Sequence, residues 1–189
     1  VLAMSVSQTT RLTAIFAGGM LIAMALSARY LGRAGEPIRL AAYGAVVGVF
    51  AFAAVIMAGA FDSLILFAAG TLLIGIGNGF FAVGTLTAAM LLGGSGTTGL
   101  VIGTWGAVQA TAVGCAVFLG GALRDMTEAL IQGGMISQQL SGPATPYGAV
   151  YHLEIIILFA SLIALGPLVR RLGNDKDQPL TMKLADFPS

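Results

Sequence analysis

Five long apolar stretches, almost free of charge, occupy most of this 189-residue chain and leave little choice of fold. A hydrocarbon core about 30 Å thick needs roughly 20 helical residues to cross it. The stretches Leu12–Leu31, Ile38–Ala60, Leu64–Leu92, Gly99–Leu123 and Val150–Val169 all meet that length. Backbone N–H and C=O groups in lipid must be satisfied within the segment, which selects helices or a closed barrel. Barrel strands would alternate polar and apolar residues, and these runs do not. The expected architecture is an all-α, polytopic transmembrane helix bundle.

Composition agrees. The chain is 57% hydrophobic and 9% charged, against about 25% charged in soluble domains, and its mean hydropathy is +0.93. A net charge of +1 offers no electrostatic case for nucleic acid. The lone Cys115 rules out a disulfide framework within the chain and reads as a small packing residue of the fourth span.

Loop charges orient the bundle. Arg29, Arg33 and Arg39 bracket the first connection, while Arg170, Arg171, Lys176 and Lys183 follow the last span. By the positive-inside rule these seven of the nine Lys/Arg are cytoplasmic. Arg11 and Arg124 then lie outside with Asp62, Asp125 and Glu128. Five spans make this self-consistent, with a periplasmic N-terminus and a cytoplasmic C-terminus. An odd span count and a start at Val1 read as the C-terminal part of a longer polytopic protein.

Small residues recur at four-residue spacing: Gly19/Ala23/Ser27, Gly106/Ala110/Gly114, Gly44/Gly48, Gly75/Gly79 and Gly99/Gly103. Such spacing lets membrane helices approach closely. The third span, about 43 Å long, exceeds the apolar core. Tilt explains that length; so does a helix weakened around Asn78 within Gly75-Ile76-Gly77-Asn78-Gly79, as in transporter cavities. Residues 124–148 read as an external segment. Asp125 and Glu128 there have capping-box spacing, and Gly133-Gly134 is a stop signal, so a short helix lying on the membrane surface is expected. Residues 174–189 read as a cytoplasmic tail.

Ionisable groups within spans are costly and are therefore candidates for function. His152 and Glu154 stand near the outer end of the fifth span, two residues apart and so pointing apart. A neutral imidazole can ligate a metal, including the magnesium of a chlorin; it can equally be an interfacial histidine bonded to a neighbour. Glu154 could couple protons, or simply be hydrated or paired with tyrosine. Asn78, Thr85, Thr87, Thr104 and Gln109 could grip a ligand or hydrogen-bond between helices. Trp105 suits either an aromatic belt or stacking on a macrocycle. With one His, one Cys and no cluster of metal-binding or nucleophilic residues, the chain reads as non-enzymatic.

Four groups of residues together carry a resemblance. They are Thr10–Ala14 with Leu31-Gly32-Arg33 and Pro37–Ala42; Phe81–Met90; Gly103-Thr104-Trp105-Gly106-Ala107-Val108-Gln109-Ala110-Thr111 with Gly120-Gly121-Ala122-Leu123-Arg124-Asp125; and Tyr151-His152-Leu153-Glu154 with Leu184-Ala185-Asp186-Phe187-Pro188. The chain resembles the C-terminal half of the PucC/LhaA family, the bacteriochlorophyll-delivery branch of the major facilitator superfamily in phototrophic bacteria. The resemblance implies that the five spans correspond to spans eight to twelve of a facilitator fold, with the N-terminal half of the same protein as a partner. It implies a multi-pass protein of the bacterial inner, intracytoplasmic photosynthetic membrane, an assembly factor that handles or delivers bacteriochlorophyll to light-harvesting antenna polypeptides. Pigment-synthesis enzymes are further implied partners. It transfers no catalytic motif. His152 (as magnesium ligand), Trp105, Asn78, Gln109 and Glu154 remain the candidate pigment-binding residues on their own chemistry. A secondary transporter of a small solute, coupled or not to protons, is the competing reading.

Overall fold

A computed structural model describes residues 6–93, 96–133 and 145–176. Five α-helices account for nearly all of them: α1 (Val6–Gly32), α2 (Pro37–Ala60), α3 (Leu64–Leu92), α4 (Thr98–Gln132) and α5 (Thr145–Lys176). Each contains a window long and apolar enough to cross a membrane. The protein is a multi-pass membrane helix bundle, as the apolar runs predict. Burial is sparse because the solvent around most side chains is lipid, whose tails are as apolar as leucine.

α3 is the centre of the bundle. It packs most extensively on α2 and next on α1, while α5 lies against α2 and α4 touches α5 and, more lightly, α3. Two glycine faces make the central position possible. Gly75 and Gly79 meet Gly19 and Ala23 of α1, where a Cβ on Gly75 would collide with the Phe16 carbonyl oxygen. Gly70, Gly77 and Gly84 recur every seventh residue and face α2. A Cβ on Gly77 would stand 2.8 Å from the Gly44 carbonyl oxygen, and one on Gly84 would stand 2.6 Å from that of Pro37. A seven-residue repeat keeps one face of a helix on a neighbour over several turns. Backbones therefore touch along both sides of α3. In α1, Ser27 continues the Gly19/Ala23 stripe, fully buried, its hydroxyl donating to the Ala23 carbonyl at 2.7 Å.

Two expectations are thereby decided. The glycines around Asn78 do not interrupt the helix: α3 runs unbroken from Leu64 to Leu92 and its glycines are packing surfaces. The short surface helix expected after Leu123 does not form as a separate element. α4 continues to Gln132, because Arg124 bridges Asp125 (3.1 Å) and Glu128 (3.4 Å) along its own helix, and no cap breaks it there. Gly133 does end it, its N–H donating to the Ala129 carbonyl. Gly134 lies outside the described residues, as do residues 177–189 of the tail, whereas residues 145–148, expected in the external segment, and 174–176, expected in the tail, belong to α5.

The ends of α2 and α3 are set locally. Pro37 occupies the first turn of α2, where its missing N–H costs nothing. Ser63 caps α3, accepting from the Leu66 N–H at 3.3 Å.

α4 is the exception to close packing. A Cβ on Gly99, Gly103, Gly106 or Gly114 would meet nothing within 4 Å, and Cys115, expected as a packing residue, is exposed. Spacing that buries a stripe on α1 leaves one open on α4. Alanine substitutions should separate the two. Gly75→Ala is expected to lower stability by about 1–3 kcal/mol through overpacking, and Gly106→Ala to stay within about 0.5 kcal/mol, measured by denaturant unfolding in detergent micelles.

Candidate functional site

The residues singled out by their chemistry fall into two separate places. The first is the cleft between α3 and α4. The indole N–H of Trp105 donates to the Thr85 hydroxyl oxygen at 3.2 Å and so ties α4 to α3. Thr85 in turn donates to its own helix, to the Phe81 carbonyl at 2.8 Å, a back-bond that leaves its oxygen free to accept. Both side chains are half-buried.

Asn78 and Gln109 extend this cleft. Asn78 lies seven residues before Thr85, so it shares that face of α3 to within about 20°. Gln109 lies one turn beyond Trp105 on α4. α3 and α4 run antiparallel, so both amides lie on the same side of the Trp105–Thr85 bond along the bundle axis. Asn78 is exposed and Gln109 half-buried, and neither makes a side-chain hydrogen bond among the described residues. The cleft therefore presents an indole edge with two amides whose donors and acceptors are free.

The second place is the N-terminal part of α5. His152 is exposed, and its Nδ1 lies 2.7 Å from the Gly148 carbonyl oxygen one turn earlier. A carbonyl only accepts, so Nδ1 is the donor in this bond, and in the neutral imidazole that tautomer leaves the lone pair on Nε2. Fixing one ring nitrogen on a backbone carbonyl while the other faces outward is how metal-ligating histidines are oriented. The donor set thus fits a single axial ligand to a magnesium centre. No group of three or more His, Cys, Asp or Glu placed to hold a bare metal ion occurs among the described residues.

Glu154 points elsewhere, as the two-residue spacing requires. Tyr151 packs on Phe52 of α2, ring centroids 6.2 Å apart. Leu158 fills the space over Gly48 of α2. Glu154 lies between them on the seam with α2, and its Oε2 is shielded from solvent without a hydrogen-bond partner.

The two places do not form one site. Val150 stands beside Gly120 of α4, which puts His152 near the level of Gly120. Trp105 is fifteen residues before Gly120, about 22 Å along the helix at 1.5 Å per residue. His152 and Trp105 occupy opposite halves of the bundle and could not hold the same ring together.

Comparison with known proteins is consistent from one end of the bundle to the other. A family model described as PUCC protein matches residues 1–173. Protein PucC of Cereibacter sphaeroides is 45% identical over 172 residues, covering 90% of this chain and 36% of that protein. An uncharacterized protein in the puhA-bchM intergenic region of Rhodobacter capsulatus is 46% identical over 193 aligned positions, covering 100% of this chain and 40% of that protein. Protein PucC of Rhodobacter capsulatus is 40% identical over 173 residues, with 90% and 36% covered. The chain thus spans well under half the length of these relatives. No solved structure matches it.

Trp105 is the sole tryptophan, so the cleft reports on itself. Thr85→Val should shift Trp105 emission to shorter wavelength as the indole N–H loses its acceptor. The accompanying stability loss should be about 0.6 kcal/mol, the mean for hydrogen bonds between membrane helices. Steady-state fluorescence and unfolding in the same detergent measure both.

Proposed function

Because the chain belongs to the PUCC family, we propose that it forms part of a non-enzymatic membrane protein that assists assembly of light-harvesting complexes, handling bacteriochlorophyll and presenting it to antenna polypeptides. The observation that carries the pigment reading is the orientation of His152, whose Nδ1 is tied to Gly148 while Nε2 stays available on an exposed helix face. Bound there, bacteriochlorophyll would be held through its magnesium by His152, and it would supply the light-absorbing macrocycle. The chain's own part is to hold the imidazole in one tautomer and to offer the apolar flank of Ile156 and Phe159, which are 64% and 53% exposed on α5. Trp105, Asn78 and Gln109 would serve at a distinct position between α3 and α4, gripping the polar substituents of a pigment or of a partner helix. In this reading the protein lies in the bacterial photosynthetic membrane, its N-terminal side periplasmic and its C-terminal side cytoplasmic. The charge asymmetry of the loops supports that orientation.

The likeness to a facilitator fold enters here as well. Five spans matching spans eight to twelve would place α1, α3 and α4 toward the rest of the protein, in keeping with the open faces of α3 and α4. The relatives' greater length supports a larger whole protein around these spans, since the chain covers 36% and 40% of two of them.

Purification of the intact protein from phototrophic membranes in mild detergent tests the proposal. Near-infrared absorption and co-purified small antenna polypeptides are both expected. Loss of the two together, with the protein folded, would count decisively against the assembly role. His152→Leu should reduce bound pigment severalfold at unchanged expression, whereas Trp105→Phe should leave the axial ligand in place.

One observation favours a second reading, a proton-coupled secondary transporter. Glu154 is a carboxyl on a membrane-spanning helix with one oxygen shielded and unpartnered, and such groups mark proton relays. Proton uptake by proteoliposomes on addition of a solute, abolished in Glu154→Gln, is the result this reading requires.

A further inference from the structure

α1 ends in a cleft that the pigment reading does not use. Leu26, Arg29, Tyr30, Arg33 and Gly35 line a space of about 420 Å³ where α1 turns into the α1–α2 loop, a volume within the usual range for small-molecule sites. Its walls are held in place. The Tyr30 ring lies against Gly35, where any Cβ would collide with it, and stands edge-on to Tyr43 of α2 at 6.2 Å and 79°. The Tyr30 carbonyl accepts the N–H groups of Arg33 and Gly35 at 3.2 and 3.1 Å, and Ala34 takes a φ of 59° to close the turn.

Among the described residues, nothing compensates the charge in the cleft. Arg39 is paired with Glu36 at 2.6 Å, and Arg124 with Asp125 and Glu128. Arg29 and Arg33 have no such partner among the described residues, and the nearest acid in sequence, Glu36, is the one held by Arg39. Arg29, in the last turn of α1, and Arg33, in the turn just after it, are four residues apart and both line the cleft. Two guanidinium forks at that spacing match a phosphate, which they bind through paired N–H donors.

The same face says what carries the phosphate. Ile22, Leu26 and Arg29 follow the i, i+4, i+7 pattern of a single helical stripe of α1, which runs up to Arg33 in the turn that follows, and Ile22 and Leu26 are 47% and 44% exposed. The stripe is apolar toward the middle of the span and cationic at its end. An amphiphile with an anionic head above an acyl chain has the complementary profile, whereas free phosphate would use only the upper part.

We propose that this cleft binds an anionic phospholipid, with Arg29 and Arg33 clamping the headgroup phosphate and Leu26 and Ile22 lying along the start of an acyl chain. Basic clefts at the ends of membrane helices are suited to such headgroups.

The test uses the intact protein in phosphatidylcholine nanodiscs with or without phosphatidylglycerol, reading protein-retained lipid by mass spectrometry after detergent exchange. Wild type should retain phosphatidylglycerol in preference to phosphatidylcholine. The double variant R29Q/R33Q should bind it about 30-fold more weakly, given the attraction of each arginine for an anionic surface. R29K/R33K should keep most of the preference, and R11Q, a single charge at the other end of α1, all of it. Equal retention by wild type and R29Q/R33Q overturns the proposal, as does displacement of the lipid by millimolar inorganic phosphate, which would mark a free-anion site. Should R29Q/R33Q not accumulate, the wild-type comparison decides alone: no preference for phosphatidylglycerol overturns it.

Discussion

Backbone-to-backbone contact along both sides of α3 is the constraint on which the rest of the bundle depends. In lipid there is no hydrophobic drive to bring helices together, so close dispersion contact must do that work. It requires atoms to be missing where the helices meet. Gly75 and Gly79 provide this toward α1, and Gly70, Gly77 and Gly84 toward α2. With α3 seated, α2 gains a second neighbour in α5 through Gly48 and Leu158. The candidate groups are placed by that scaffold: Thr85 and Asn78 on the face of α3 left over by its two glycine faces, and Glu154 in the seam between α2 and α5.

How much of this could be read from the residues depended on whether a property is local to one helix. The apolar runs located all five helices, because span length is a property of each segment alone. The divergence of His152 and Glu154 followed from two-residue spacing. Register between helices was not legible. Trp105 and Thr85 are twenty residues apart on different helices, and nothing in either segment says that they meet. The spacing Gly19/Ala23/Ser27 looks the same as Gly106/Ala110/Gly114, yet the first is buried and the second open. Small residues report that a helix can be approached, not that it is.

The continuation of α4 past Leu123 has a comparable origin. Asp125 and Glu128 match a capping box by spacing, but a cap forms only where the preceding residue leaves helical backbone. Arg124 favours the helix instead by reaching both carboxylates from within it. From Arg124 to Gln132 the chain adds about two and a half turns to the same helix, where the spacing had signalled a new start. The limits of α5 shifted likewise, since polar residues at both ends extend a helix without extending its apolar window.

The two-sided packing of α3 also bears on the order of biosynthesis. As the chain leaves the ribosome, α1 and α2 enter the bilayer before α3 and share only a modest contact of their own, such as the edge-on meeting of Tyr30 and Tyr43. The third helix arrives between two partners already in the membrane and fastens both at once. Up to that moment the first two helices meet only lightly; after it, each is held by a seam with α3, and α3 is held by two. A nascent chain arrested before Leu64 and one arrested after Leu92 therefore differ in more than length: only the longer one joins α1 to α2 through α3.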